Sequence, residues 1–214
     1  MEKKKIYRMA VYAMFIALIF VLGMTPIGLI PLPWAAVTTL HIPVIVGAVL
    51  FGVKGGALLG FSFGLTTLIR CFTAPDVIGA IVLGTYSGSG FGLRNLAMVV
   101  LILIIPRILV GVVAALLYRL LSRFDKTSTW SVSVSALAGS LTNSVLVLGM
   151  LALLAFSEVE EVLEVTGASA VVGTLVTANL LNVVLEAAAA IILCTAICKA
   201  LFVFMKKRNP ELYQ

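Results

Sequence analysis

Six apolar runs divide this chain, over roughly 6–24, 40–53, 54–70, 95–123, 131–155 and 169–204. Lipid offers no partner to a backbone N–H or C=O, so a segment inside it must close its own hydrogen bonds. A spanning helix then takes about 20 apolar residues. The second and third runs are short, and the sixth is longer than a bilayer needs. With 62% hydrophobic and only 11% charged residues among 214, the chain lacks the charge to cover a soluble domain of this size. The expected fold is an all-α membrane protein, six transmembrane helices in a single domain over 1–214. The basic start, Met1-Glu-Lys-Lys-Lys, is read as the lead-in to a retained first helix, because no cleavage site followed by a soluble domain comes after it.

Charge is informative by position. With an even number of spans both termini share one side, and twelve of the fifteen Lys and Arg fall there, from Lys3 to Arg8, at Lys54, at Arg119, Arg123 and Lys126, and from Lys199 to Arg208. Arg70, Arg94 and Arg107 fall on the other. Basic excess marks the cytoplasmic face, so both termini are expected in the cytoplasm. The net charge of +6 is topology and implies no nucleic-acid partner.

Within the second and third runs, Thr38 to Arg70, two apolar helices meet at Gly52-Val53-Lys54-Gly55. Pro43 suits a helix's first turn, and Thr38 or Thr39 can cap it. Gly56, Gly60 and Gly64, four apart, form a small-residue ridge that lets another helix backbone approach closely. On the first helix, Ala10, Ala13 and Ala17 share a stripe. Ala13-x-x-x-Ala17 suits either packing inside the bundle or docking of a separate protein. The segment 25–37 holds Pro26, Pro31, Pro33 and Trp34 and reads as an apolar lid or an interfacial anchor. His41, the single histidine, opens the second helix as a helix-end residue or as a polar contact for a solute beneath that loop.

The segment 71–95 ends in the glycine-rich run Gly84 to Gly92. No strand precedes it and no catalytic lysine follows, so a nucleotide site is excluded and a flexible gate is expected. Arg94 and Arg107 bracket an apolar stretch with Pro106, expected as a loop and interfacial helix before the true span. Ser140, Thr142, Asn143 and Ser144 lie mid-way along the fifth helix. Asn179, Asn182 and Glu186 fall at i, i+3 and i+7 on one face of the sixth. Polar groups at membrane depth need partners or a wet cavity, so this set is either interhelical glue or a polar solute pocket. Glu158, Glu160, Glu161 and Glu164 read as a solvated external face.

No serine-nucleophile motif, no H-E-x-x-H, no P-loop and no carboxylate pair within a span is present. The three cysteines, Cys71, Cys194 and Cys198, have neither disulfide nor metal spacing. The chain is expected to be no enzyme and to carry no cofactor and no metal.

The stretch TTLHIPVIVGAVLFGVKGGALLGFSFGLTTLIR resembles the substrate-binding S components of energy-coupling factor (ECF) vitamin transporters. Those are six-helix proteins of about this length, so the resemblance covers nearly the whole chain. One departure is Val53, where the family usually has proline. The resemblance implies an S-component-like bundle in a prokaryotic plasma membrane. It implies a cavity under the loops after helices one and three that takes a vitamin from outside. It also implies partners, a transmembrane T subunit docking on Ala10, Ala13 and Ala17, and two cytoplasmic ATPases. The T-T-x-H-I-P hairpin followed by an arginine is most similar to pantothenate-type members. For that small anion, Arg70, Arg94 or Arg107 would clamp the carboxylate. His41, Asn95, Asn143, Asn179 and Asn182 would meet its amide and hydroxyls. Folate, riboflavin, a thiamine precursor and cobalamin stay open as ligands. An autonomous transporter using Glu186 for proton coupling stays open as a different class.

Overall fold

The computed structural model describes residues 2–25, 28–31, 36–85, 92–125 and 127–208. Among them, five helices are long and apolar enough to cross a membrane: 6–24 within α1 (Glu2–Met24), α2 (His41–Thr73), the continuous segment Leu93–Leu121, α6 (Thr129–Leu154) and most of α8 (Ala168–Arg208). The short helices α3 (Val77–Leu83) and α7 (Phe156–Leu163) lie between them. A small antiparallel hairpin, β1 (Leu29–Pro31) with β2 (Ala36–Thr38), precedes α2, pairing Leu29 with Thr38 and Pro31 with Ala36. Trp34 and the glycine-rich run from Tyr86 to Phe91 lie outside the described residues.

The two short runs expected as separate helices form α2, which breaks at Gly52. There φ is 73° and ψ −166°, a conformation essentially closed to residues with a Cβ. In a straight helix Gly47 and Leu59 would stand about 18 Å apart. Instead the Leu59 side chain fills the space beside Gly47, and Ala48 packs on Gly56. The halves 41–51 and 53–73 are therefore folded onto each other. At the start of α2 the N-cap is Leu40, which makes no side-chain cap, and the Thr38 hydroxyl accepts the Leu40 N–H at 3.4 Å. Thr38 ends β2, and the Ile42 N–H reaches back to the Thr39 carbonyl.

The glycine ridge packs against α5 (Ile105–Leu121). A Cβ at Gly56 would strike the Gly111 carbonyl, one at Gly60 the Arg107 carbonyl, and one at Gly64 the backbone of Leu103 and Ile104. Backbones touch because neither helix interposes a side chain, the arrangement that favours helix association in lipid. The segment before α5 is not a loop with an interfacial helix. It runs without a break from α4 (Leu93–Met98) through a π-helical turn (Val99–Ile104) into α5. Pro106 sits at the start of α5, where its missing N–H is absorbed by the wider turn.

On α1, Phe15 and Ile19 are buried toward α2, with Phe15 edge-on to Phe51, while Ala10, Ala13 and Ala17 are exposed on the opposite face. Two apolar clusters result. One joins α1, α2, α5, α6 and α8 around Phe63, Leu59 and Val110. The other joins α3, the π turn, α6, α7 and the start of α8 around Ile102, Leu151 and Val159.

Candidate functional site

Between these clusters lies a cavity of mixed polar and apolar lining with about 660 Å³ of empty space, its open mouth included. Phe63 and Thr67 of α2 form one wall, and Asn143, Ser144, Val147 and Leu148 of α6 another. Asn179, Asn182, Val183 and Glu186 of α8 close a third side, Arg107 comes from α5, and Asp76 and Thr38 stand at the edges. Helical periodicity explains the convergence, since Asn179, Asn182 and Glu186 repeat at three- and four-residue steps on one face.

Each polar group has a defined degree of satisfaction. Glu186, buried, accepts the Thr38 backbone N–H at 2.7 Å, tying the β-hairpin to the cavity wall. Asp76 caps α3 through the Gly79 N–H at 2.7 Å. The Asn179 amide nitrogen donates back to the Leu175 carbonyl at 2.9 Å. The Asn143 carbonyl oxygen is buried without a partner.

Arg107 differs from all of these. It is only 8% exposed, its guanidinium lies 5.6 Å from the centre of the Phe63 ring, and Nη1 donates to the Ile102 carbonyl. Its Nε has no partner, and among the described residues the one ion pair is elsewhere, between Arg94 and Glu158. A buried guanidinium without a direct carboxylate partner is costly, and Arg107 lies in a cavity whose other polar lining is the amides of Asn143, Asn179 and Asn182, the hydroxyls of Thr38, Thr67 and Ser144, and the carboxyls of Asp76 and Glu186. Asp76 and Glu186 share that cavity but are both engaged by backbone N–H groups.

Of the residues singled out in the sequence, Arg107, Asn143, Ser144, Asn179, Asn182 and Glu186 are brought together in the cavity wall. Arg70, Arg94, Asn95 and His41 lie outside its lining. Arg70 donates to the Gly23 carbonyl at 3.2 Å, joining α2 to the end of α1. Arg94 pairs with Glu158 and donates to the Leu154 carbonyl. Asn95 accepts the Gly92 N–H and donates to the Val82 carbonyl, fixing the start of α4. His41 is buried beneath the hairpin, close to the backbone of Thr38 and Glu186. Glu158 is buried rather than solvated, and its hydrogen bond from Arg94 holds the carboxyl below the usual carboxylate range. Thr38, Thr67 and Asp76 also face the cavity, and no local pattern marks them for it.

Long apolar helices around a partly polar cavity are the frame of a membrane protein able to hold a small solute. The family model for the ECF transporter substrate-specific component matches residues 7–194, and the chain belongs to that family. It is also 33% identical to the pantothenic acid transporter PanT of Lactococcus lactis subsp. cremoris (strain MG1363), over 98% of this chain and 99% of that protein.

Proposed function

We propose that this protein is the pantothenate-binding S component of an ECF importer in the prokaryotic plasma membrane. The observation that carries the proposal is Arg107, a buried guanidinium without an ion-pair partner among the described residues, in a cavity that also presents three asparagine amides and the hydroxyls of Thr67 and Ser144. Pantothenate is a small carboxylate bearing an amide and two hydroxyls, and this lining complements each group. Similarity to a pantothenic acid transporter along nearly the full chain supports the same ligand. In this reading the carboxylate meets Arg107, while Asn143, Asn179, Asn182 and Thr67 meet the amide and hydroxyls. The β-hairpin, held through Thr38 to Glu186, covers the entrance. Arg70, Arg94 and Asn95 hold the surrounding elements, while His41 is buried outside the cavity lining.

Six spanning segments follow if the halves of α2 are counted separately, and the twelve basic residues on one side then put both termini in the cytoplasm. Energy comes from partners, a T subunit docked on the exposed Ala10, Ala13 and Ala17 face of α1 and two cytoplasmic ATPases. The deciding experiment is isothermal titration of the purified protein with pantothenate, folate, riboflavin, thiamine precursors and cobalamin. Saturable binding of pantothenate alone is expected. Binding of another vitamin in its place would overturn the ligand assignment, and binding of none would overturn the S-component site.

A further inference from the structure

We propose that Pro106 is a positioning residue that fixes the Arg107 guanidinium for carboxylate binding. The inference rests on the ligand assignment above and deepens it. In an α-helical register the N–H of residue 106 would bond the carbonyl of Ile102. Pro106 has no N–H to give. Immediately before it the backbone widens into the π-helical turn Val99–Ile104, where the Ile105 N–H reaches five residues back to Val100. The Ile102 carbonyl is thereby open to a side-chain donor, and Arg107 Nη1 takes that place. Both Ile102 and Pro106 are buried, so water does not compete for the carbonyl.

One end of the guanidinium is thus held by a backbone oxygen whose position the helix dictates. Its face is held by Phe63, and the Gly60 contact with the Arg107 carbonyl fixes the backbone beneath it. What remains is a guanidinium with a fixed orientation and free donors. A long side chain that is already ordered loses less freedom when it binds a carboxylate. An N–H at position 106 would compete for the Ile102 carbonyl and release the arginine to other rotamers. Proline at this position serves the cavity at the expense of regular helix.

The test is Pro106→Ala, alone and combined with Arg107→Ala, titrated with pantothenate and with pantothenol, in which the carboxylate is replaced by a CH2OH group. Pro106→Ala is expected to weaken pantothenate about tenfold. Pantothenol binding should change little, and the thermal midpoint of the ligand-free protein should hold or rise as the helix gains a hydrogen bond. In the Arg107→Ala background the same change should have no further effect on affinity, as expected for two residues acting through one contact. Pro106→Ser, which also restores the N–H, repeats the measurement if the alanine variant does not fold.

Wild-type pantothenate affinity in Pro106→Ala, equal losses for acid and alcohol, or an undiminished effect in the Arg107→Ala background would each overturn the positioning role. Wild-type affinity in Arg107→Ala has a different meaning. It would remove the carboxylate site itself and the inference with it.

Discussion

At the residue scale, Arg107 and Asp125 show how similar burial leads to opposite roles. Arg107 has one carbonyl and an aromatic face for company. Removing its charge should leave a bound carboxylate unpaired in a low-dielectric cavity, a loss of roughly 1.5–3 kcal/mol, or about 10- to 150-fold in affinity. Calorimetric titration of Arg107→Ala with pantothenate measures this. Arg70→Ala, whose guanidinium serves the Gly23 carbonyl, should keep affinity within about threefold, a change worth under 1 kcal/mol. Asp125 is fully engaged. Its carboxylate accepts the Ser131 N–H at 2.9 Å and both the N–H and hydroxyl of Thr127, capping the first turn of α6 in place of Ser128. Burial opposes its charge, but these hydrogen bonds outweigh that and hold its pKa at about 2. A carboxyl depressed in the folded state stabilises the fold above its unfolded pKa and loses that contribution as pH falls through the folded value. Asp125→Asn should therefore lower the thermal midpoint by its full amount above about pH 4, and the gap to wild type should close as pH approaches 2. Thermal unfolding across a pH series reads it, and a gap that persisted at the lowest pH would rule out the carboxylate as its source.

At the element scale, the α2–α5 contact is the part of the molecule that depends most on absent side chains. Gly60→Ala would drive a Cβ into the Arg107 carbonyl, and overpacking of this kind costs about 1–3 kcal/mol. The same shift would move Arg107, so lower thermal stability and weaker pantothenate binding are expected together. Gly149→Ala, with open space around it, should alter neither. This ridge was legible because a four-residue glycine period has one physical use in lipid. The Asn179, Asn182 and Glu186 face was legible for a similar reason, since helical spacing puts all three on one wall whatever surrounds them. The depth of Arg107 was not legible. Pro106 suggested an interrupted helix with Arg107 at the membrane surface, whereas the π turn carries the helix through. Thirteen residues of helix then separate Arg107 from Arg94, about 20 Å along the axis. That wider turn lies where Gly64 of the ridge meets the backbone of Leu103 and Ile104, a tertiary contact with no signature in the local sequence. Glu158 departs from the solvated face expected of its acidic run for a related reason: its partner Arg94 is 64 positions away, beyond any local pattern.

For the whole molecule, the question is whether binding and energy input belong to one chain. Buried contacts use only one face of α1, where Phe15 and Ile19 pack inward while Ala10, Ala13 and Ala17 face out. The cavity is built by α2, α3, α5, α6 and α8 with the hairpin, and no described residue of α1 lines it. A bulky residue at Ala13 therefore blocks close approach of a partner helix without reaching the ligand. Ala13→Trp should bind pantothenate with wild-type affinity in purified form. In vesicles that also contain the T subunit and ATPases, with ATP inside, it should lose both complex assembly and uptake. An autonomous proton-coupled carrier predicts the reverse pattern: uptake driven by a pH gradient without those partners, untouched by Ala13→Trp and abolished by Glu186→Gln. The Glu186 carboxylate oxygen accepts the Thr38 N–H of the hairpin, a contact that favours anchoring over proton transfer. Glutamine keeps an acceptor oxygen for that bond, so Glu186→Gln should preserve ATP-dependent uptake, and Glu186→Leu should release the hairpin and speed dissociation of the ligand. Uptake assays on the three variants, with and without the ATPase partners, separate a chain that only captures its vitamin from one that also drives it across.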